Sequence, residues 1–258
     1  MTSPRQAYAA ARLHARYANR PSPAHWGALE SSRTLDHYVD VLRTAGWLHV
    51  PEAAVARDVD ALEEWLRETW RATCAEVAAW HPARWRAAYR WAGVLPDLAT
   101  LAWLRDARAV PAWLARDTHL GPIARAPPEV RAAALAASEY APLAPAWRER
   151  ESLLEAWRAQ WRATWPRADA PARRGLARFE ALLQRAASDA LRTRERRERL
   201  ERALARTWRA SAGTAAAGFC QLALRALELE RVRGGFASRL VLAAPAPALR
   251  VAAAGDAR

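Results

Sequence analysis

The strongest hydrophobic periodicity lies in the last third of the chain, Arg173 to Val241, within the longest run without proline. Leu176, Phe179, Leu183, Ala186, Ala187 and Ala190 recur at steps of three and four, which places them on one helix face. A highly charged turn at Arg192–Arg199 interrupts that stripe, and Leu200, Leu204 and Trp208 resume it. The pattern predicts one very long helix, or two helices nearly end to end. Unbroken, Arg173 to Arg209 would span about 55 Å at roughly 1.5 Å per residue. Gly213 ends this element, and Ala215–Ala217 lead into a last helix carrying Phe219, Leu222, Ala226, Leu229 and Val232. Gly234-Gly235 reads as its stop. The following Phe236–Leu242 reads as a short strand or an extended tail, and residues 244–258 as a disordered tail.

Upstream, the same periodicity predicts a succession of shorter helices. Pro4 to Asn19 carries Tyr8, Leu13 and Tyr17; Pro21 and Pro23 close it and start a second helix with Trp26 and Leu29. Thr34 caps a third, striped by Leu35, Tyr38, Val39 and Leu42 up to Gly46. Pro51 to Ala56 suggests a single helical turn, and Asp58 and Asp60 offer N-caps to a strong helix reaching Trp80. The face of that helix is Leu62, Trp65, Leu66, Thr69, Trp70, Cys74 and Val77, and His81-Pro82 ends it. Trp85, Tyr89 and Trp91 mark the next helix, before Gly93 and Pro96. Asp97–Arg108 and Pro111–Asp117 are short, and His119–Pro128 is the clearest linker-like stretch. Pro145 opens a helix with Leu154, Trp157, Trp161 and Trp165 in register, and Pro166 ends it. No sharp internal repeat at a period of roughly 20 to 50 residues accompanies this succession.

Composition strengthens the helical assignment. Alanine and leucine dominate, valine is sparse and isoleucine nearly absent, so the expected class is all-α, a multi-helix bundle with a long C-terminal helix pair. The net charge is +13, and every basic residue is arginine. Such an excess favours an acidic partner, whether an anionic membrane surface, nucleic acid or an acidic protein face, with a solvated arginine-rich surface as the plainer account. Cys74 and Cys220 are too few for a disulfide framework and read as buried, reduced thiols. No signal peptide and no apolar stretch of membrane-spanning length is legible, which makes a soluble cytoplasmic protein the expectation.

Candidate chemistry adds little. There is no glycine-rich phosphate loop and no G-x-S-x-G elbow, and the six histidines never pair at i, i+4 with a glutamate beside them. No catalytic, cofactor-binding or metal-binding residue is expected. Glu63, Glu64 and Glu68 cluster near a helix start, where the helix dipole favours acids. Trp65, Trp157, Trp161 and Trp165 fall on apolar stripes and read as core, whereas Trp70, Trp85 and Trp91 are less one-sided and could line a partner groove. The run Arg192–Arg206 invites a nucleic-acid reading. Within it, however, Glu195 precedes Arg199 by four and Glu198 precedes Arg202 by four, the order that favours a salt-bridged helix face.

Two segments carry a family resemblance. The first is Tyr8-Ala-Ala-Ala-Arg12-Leu13-His14-Ala15-Arg16, followed by Leu35 through Leu42 and Thr44; the second is Phe179-Glu180 on a long helix, a glycine break, and Glu228-Leu229-Glu230-Arg231-Val232-Arg233. Together they resemble the opening and closing of the C-subunit family of V/A-type ATPases, which includes the d-subunit of the eukaryotic V-ATPase. Arg233 and Gly235 stand near where that family has an asparagine shortly before an arginine. The resemblance implies three related helical modules, 1–95, 96–170 and 171–243, and because the chain is shorter than typical members it implies that the middle one is trimmed. The resemblance implies a non-catalytic central-stalk protein without cofactor or small-molecule substrate. It would be a helical cup, peripheral on the cytoplasmic face of the membrane, that seats on the rotor-ring proteolipid and receives the central-shaft subunits. Arg12, Arg16, Glu228, Glu230, Arg231 and Arg233 are then the motif positions, fixing the packing of the two ends or touching partners. The alternative expectation is an arginine-rich helical adaptor or nucleic-acid-binding protein.

Overall fold

Side-chain hydroxyls start the N-terminal helices. In the computed structural model, which describes residues 3–46, 48–50, 59–167, 169–188 and 193–243, Ser3 caps α1 (Pro4–Ala18), Ser22 caps α2 (Pro23–Ser31) and Thr34 caps α3 (Leu35–Ala45). Each accepts from the backbone N–H three residues on, satisfying a donor that has no partner within the helix. Gly46 closes α3 at φ 67°, a left-handed conformation that favours glycine. The segment Pro51–Ala56 and the Asp58 cap lie outside the described residues. α4 (Val59–Trp80) buries Leu62, Leu66, Trp70, Cys74 and Val77 on its expected face, and α5 (Ala83–Ala92) buries Trp85, Tyr89 and Trp91. Both cysteines are free, buried thiols.

The middle of the chain is a run of short helices: α6 (Leu98–Leu104), α7 (Ala112–Arg116), α8 (Gly121–Ala124), α9 (Arg131–Ala136), α10 (Ala144–Arg148) and α11 (Leu153–Ala163). The stretch 119–128 is not a solvent-facing linker. Leu120, Gly121, Ile123 and Ala124 are buried there, and the Asp117 carboxylate accepts from the backbone of His119 and Leu120 at 2.9 and 2.8 Å. Proline and glycine set a tight helical turn, and its apolar residues take it into the core. The helix expected to open at Pro145 is divided into α10 and α11, with Arg150 at φ 58° between them. Trp91 and Trp157 tie α5 to α11 by donating reciprocally, each indole N–H to the other's backbone carbonyl at 3.0 Å. Trp70 and Trp85 are likewise buried, so these three side chains are part of the packing between helices.

The last third departs most from its periodicity. The stripe between Arg173 and Arg209 forms two helices, α12 (Ala170–Ser188) and α13 (Thr193–Ala210), that fold back on each other. Gly175 at the start of α12 lies beside Ser211 and Thr214 past the end of α13, so close to Ala216 that a Cβ would meet it at 2.7 Å. A straight helix of that length would leave Leu176, Phe179 and Leu204 without cover, and reversal buries them. α14 (Ala215–Ala243) then runs alongside both. It continues through Gly234-Gly235, against the expected stop, and the expected strand or extended segment from Phe236 is helical. The cause is close packing: Tyr38 of α3 lies against Gly235, where a Cβ would meet its hydroxyl at 2.2 Å. Phe236 packs edge-on to the same ring. Beyond it, Arg239 donates to the carbonyls of Leu29 and Ser32 at the end of α2, satisfying acceptors that the helix leaves open. The tail 244–258 lies outside the described residues. No strand occurs among them, and the fold is an all-α multi-helix assembly around a continuous apolar core.

Candidate functional site

α14 presents two different faces. On one, Gln221, Arg225 and Glu228 line a polar cleft of about 300 Å³ against Arg12 and Arg16 of α1, Arg20 just past its end, and Glu76 and Trp80 of α4. Arg12 and Arg16 are spaced by four, so their guanidiniums share one side of α1, and Arg20 follows just past the end of that helix. Glu76 pairs with two of them, Arg16 at 2.7 Å and Arg12 at 3.8 Å, and both guanidiniums sit over the Trp80 ring at 5.3 and 5.1 Å. Arg20 bridges Glu228 at 2.5 Å and Glu201 of α13 at 2.7 Å. Burial works against the Arg20 charge, yet these two carboxylates hold its pKa above the ordinary arginine value. Arg225 pairs with Glu228 at 3.2 Å, but burial first, and Arg16 in addition, pull its pKa down. The network crosses most of the sequence. The Arg20–Glu228 bond alone joins residues 208 positions apart.

The other face borders an apolar cavity of about 500 Å³. Trp70, Trp157, Trp161, Phe179 and Phe219 supply aromatic walls, with Leu204, Leu222, Ala226 and other small aliphatics between them. Charged side chains stand among its lining residues: Glu63 of α4 pairs with Arg233 of α14, and Glu180 of α12 pairs with Arg162 of α11. Arg67, also on the wall, is buried beside Asp117 at 3.3 Å and over the Trp113 ring at 4.9 Å.

The six positions picked from the sequence are therefore distributed. Arg12, Arg16 and Glu228 converge on the polar cleft. Arg231 pairs with Glu30 of α2 and sits over the Trp26 ring at 4.1 Å. Arg233 and the exposed Glu230 line the apolar cavity. Five of the six engage charged partners, on α2, α4, α14 itself or, for Glu228, also at Arg20 just past α1. Reading the sequence missed Arg20, Glu76, Gln221 and Arg225. The four-residue spacing of Arg12, Arg16 and Arg20 is a signal that could have found the first of these.

Carboxylates at the start of α4 have structural partners: Glu63 takes Arg233, and Glu68 takes Arg71 at 3.0 Å and His119 at 3.5 Å. On α13 the arginines are interspersed with acids that engage them, as in the Arg194–Glu198 pair. Among the described residues no three His, Cys, Asp or Glu side chains are grouped to hold a metal ion, and no helix is long and apolar enough to cross a membrane. In comparisons with known proteins, no family model, no curated protein and no solved structure matches this chain.

Proposed function

We propose that this chain is a non-catalytic coupling protein of the C-subunit kind found in V/A-type ATPases, seated between a membrane rotor ring and a central shaft. One observation carries the reading: the segments that bear the resemblance, far apart in sequence, pack into one body. α1 packs against α14, and Arg20 just past its end bonds Glu228, while α3 reaches α14 through Tyr38 packed on Gly235 and Phe236. A protein that transmits torque needs its two ends joined by contacts that resist shear. Ion pairs and interlocked rings between closely packed helices supply such contacts. The apolar cavity, with Glu63, Glu180, Glu230 and Arg233 among its lining residues, suits a few apolar side chains from the foot of a shaft helix. The arginine excess suits acidic loops of a ring or anionic headgroups on the cytoplasmic side.

Affinity purification of the tagged chain from membranes of its own source, with mass spectrometry of what co-purifies, tests this role. Rotor-ring proteolipid and shaft subunits in near-stoichiometric amounts are the expected result. Nucleic acid that salt removes, recovered without any ATPase subunit, would overturn it in favour of an arginine-rich nucleic-acid binder.

A further inference from the structure

The polar cleft contains more positive charge than its own carboxylates balance. Counting Glu201, which reaches Arg20 from α13, four guanidiniums meet three carboxylates. Arg20 and Arg225 are served by Glu201 and Glu228, whereas Arg12 and Arg16 share Glu76. The surplus therefore falls at Arg12 and Arg16. There, Arg16 Nη1 is shielded from solvent and has no hydrogen-bond partner. On the opposite wall Gln221 is only 3% exposed, and its Oε1 likewise has no partner. Arg16 and Gln221 both line this cavity, and each brings to it a shielded polar atom without a partner, a donor on a cation and a neutral acceptor.

We propose that this cleft binds inorganic phosphate in its hydrogen-bearing form. The anionic oxygens accept from Arg16 and Arg12, and the phosphate hydroxyl donates to Gln221 Oε1. Added negative charge offsets the surplus and relieves the repulsion between Arg16 and Arg225. Sulfate has the same shape but no hydroxyl at neutral pH, so it leaves the Gln221 oxygen without a donor and binds less well. At about 300 Å³ the cleft lies at the small end of ordinary ligand sites. The site shares Arg12, Arg16 and Glu228 with the coupling reading, but phosphate binding by the isolated chain and recovery of ATPase subunits are read separately, so either can fail without the other.

Isothermal titration calorimetry of the full chain at neutral pH and fixed ionic strength, with phosphate and then sulfate as titrant in chloride buffer, tests the site. One saturable phosphate site is expected, with sulfate weaker by roughly tenfold or more. Arg16→Gln should weaken phosphate by a similar factor. Gln221→Met, which keeps the side-chain length and removes the amide without breaking an ion pair, should weaken phosphate but leave the sulfate titration unchanged. Arg194→Gln, on the exposed side of α13, should bind phosphate as the parent does. No saturable heat, equal affinity for sulfate, or a Gln221→Met variant that binds phosphate as the parent does would each overturn the proposal.

Discussion

Gln221, Arg225 and Glu228 look into a cleft crowded with charge, while Leu222, Ala226 and Leu229, a different face of the same helix, line a cavity with aromatic and aliphatic walls. The polar side is directional. Each guanidinium there has a carboxylate at a particular distance, and moving one group strands another. The apolar side tolerates empty volume because an unfilled apolar wall forfeits only dispersion contacts. A helix with one such face on each side can be held in register by the first and still offer the second to a partner.

The sharpest way to break that contrast is Glu228→Ala. It removes the carboxylate shared by Arg20 and Arg225, both mostly buried, and should cost about 3–5 kcal/mol in a denaturant melt. A loss as small as that of an exposed pair would mean that the polar side does not fix the helix.

A second test probes buried neutrality near the start of α14. His81 donates through Nδ1 to the Val77 carbonyl at 2.8 Å and lies against Tyr89, which stacks on Phe219 of α14. Burial, partly offset by that hydrogen bond, lowers its pKa from 6.5 to about 4. The unfolded chain therefore takes up a proton before the folded one does. Stability is complete above pH 6.5 and is lost as pH falls towards 4, by roughly 3 kcal/mol at most from this group. Urea melts between these pH values check it, and His81→Gln should flatten the dependence.

Smaller effects are expected where backbone and ring meet. A Cβ at Gly218 would meet the Tyr89 hydroxyl at 2.4 Å, and one at Gly235 the Tyr38 hydroxyl. Gly218→Ala and Gly235→Ala should each cost about 1–3 kcal/mol, despite alanine's better helix propensity. The smallest change belongs to the apolar side. Ala226→Leu adds methyl groups to open volume and should alter stability by less than about 1 kcal/mol, towards stabilisation. In the membrane pull-down the same substitution should lower recovery of shaft subunits, because it fills the proposed socket.

Several elements were legible in the residues. The Thr34 cap, the α3 stripe, most of the α4 face and the burial of Trp157 and Trp161 follow from spacing that a helix turns into a face. The candidate cleft was half legible. Arg12 and Arg16 were visible on α1, but Glu76 lies 60 residues beyond Arg16, and its selection as their partner depends on α4 crossing α1. Gln221 carried no signal. A lone glutamine among apolar residues becomes informative only when the groups around it are known.

Local chemistry by itself determined the all-helical class, the capped starts of α1, α2 and α3, and the apolar faces. These follow from backbone dihedrals, capping hydrogen bonds and a period of 3.6 residues, all set within a few positions of one another. Tertiary structure alone decided that the long C-terminal stripe doubles back as α12 and α13, and that Gly235 carries a helix onward under a tyrosine ring. It also decided which carboxylate each arginine takes. Those outcomes depend on which surfaces meet: an apolar stripe must find cover and a buried charge must find a partner, and either can lie two hundred residues away.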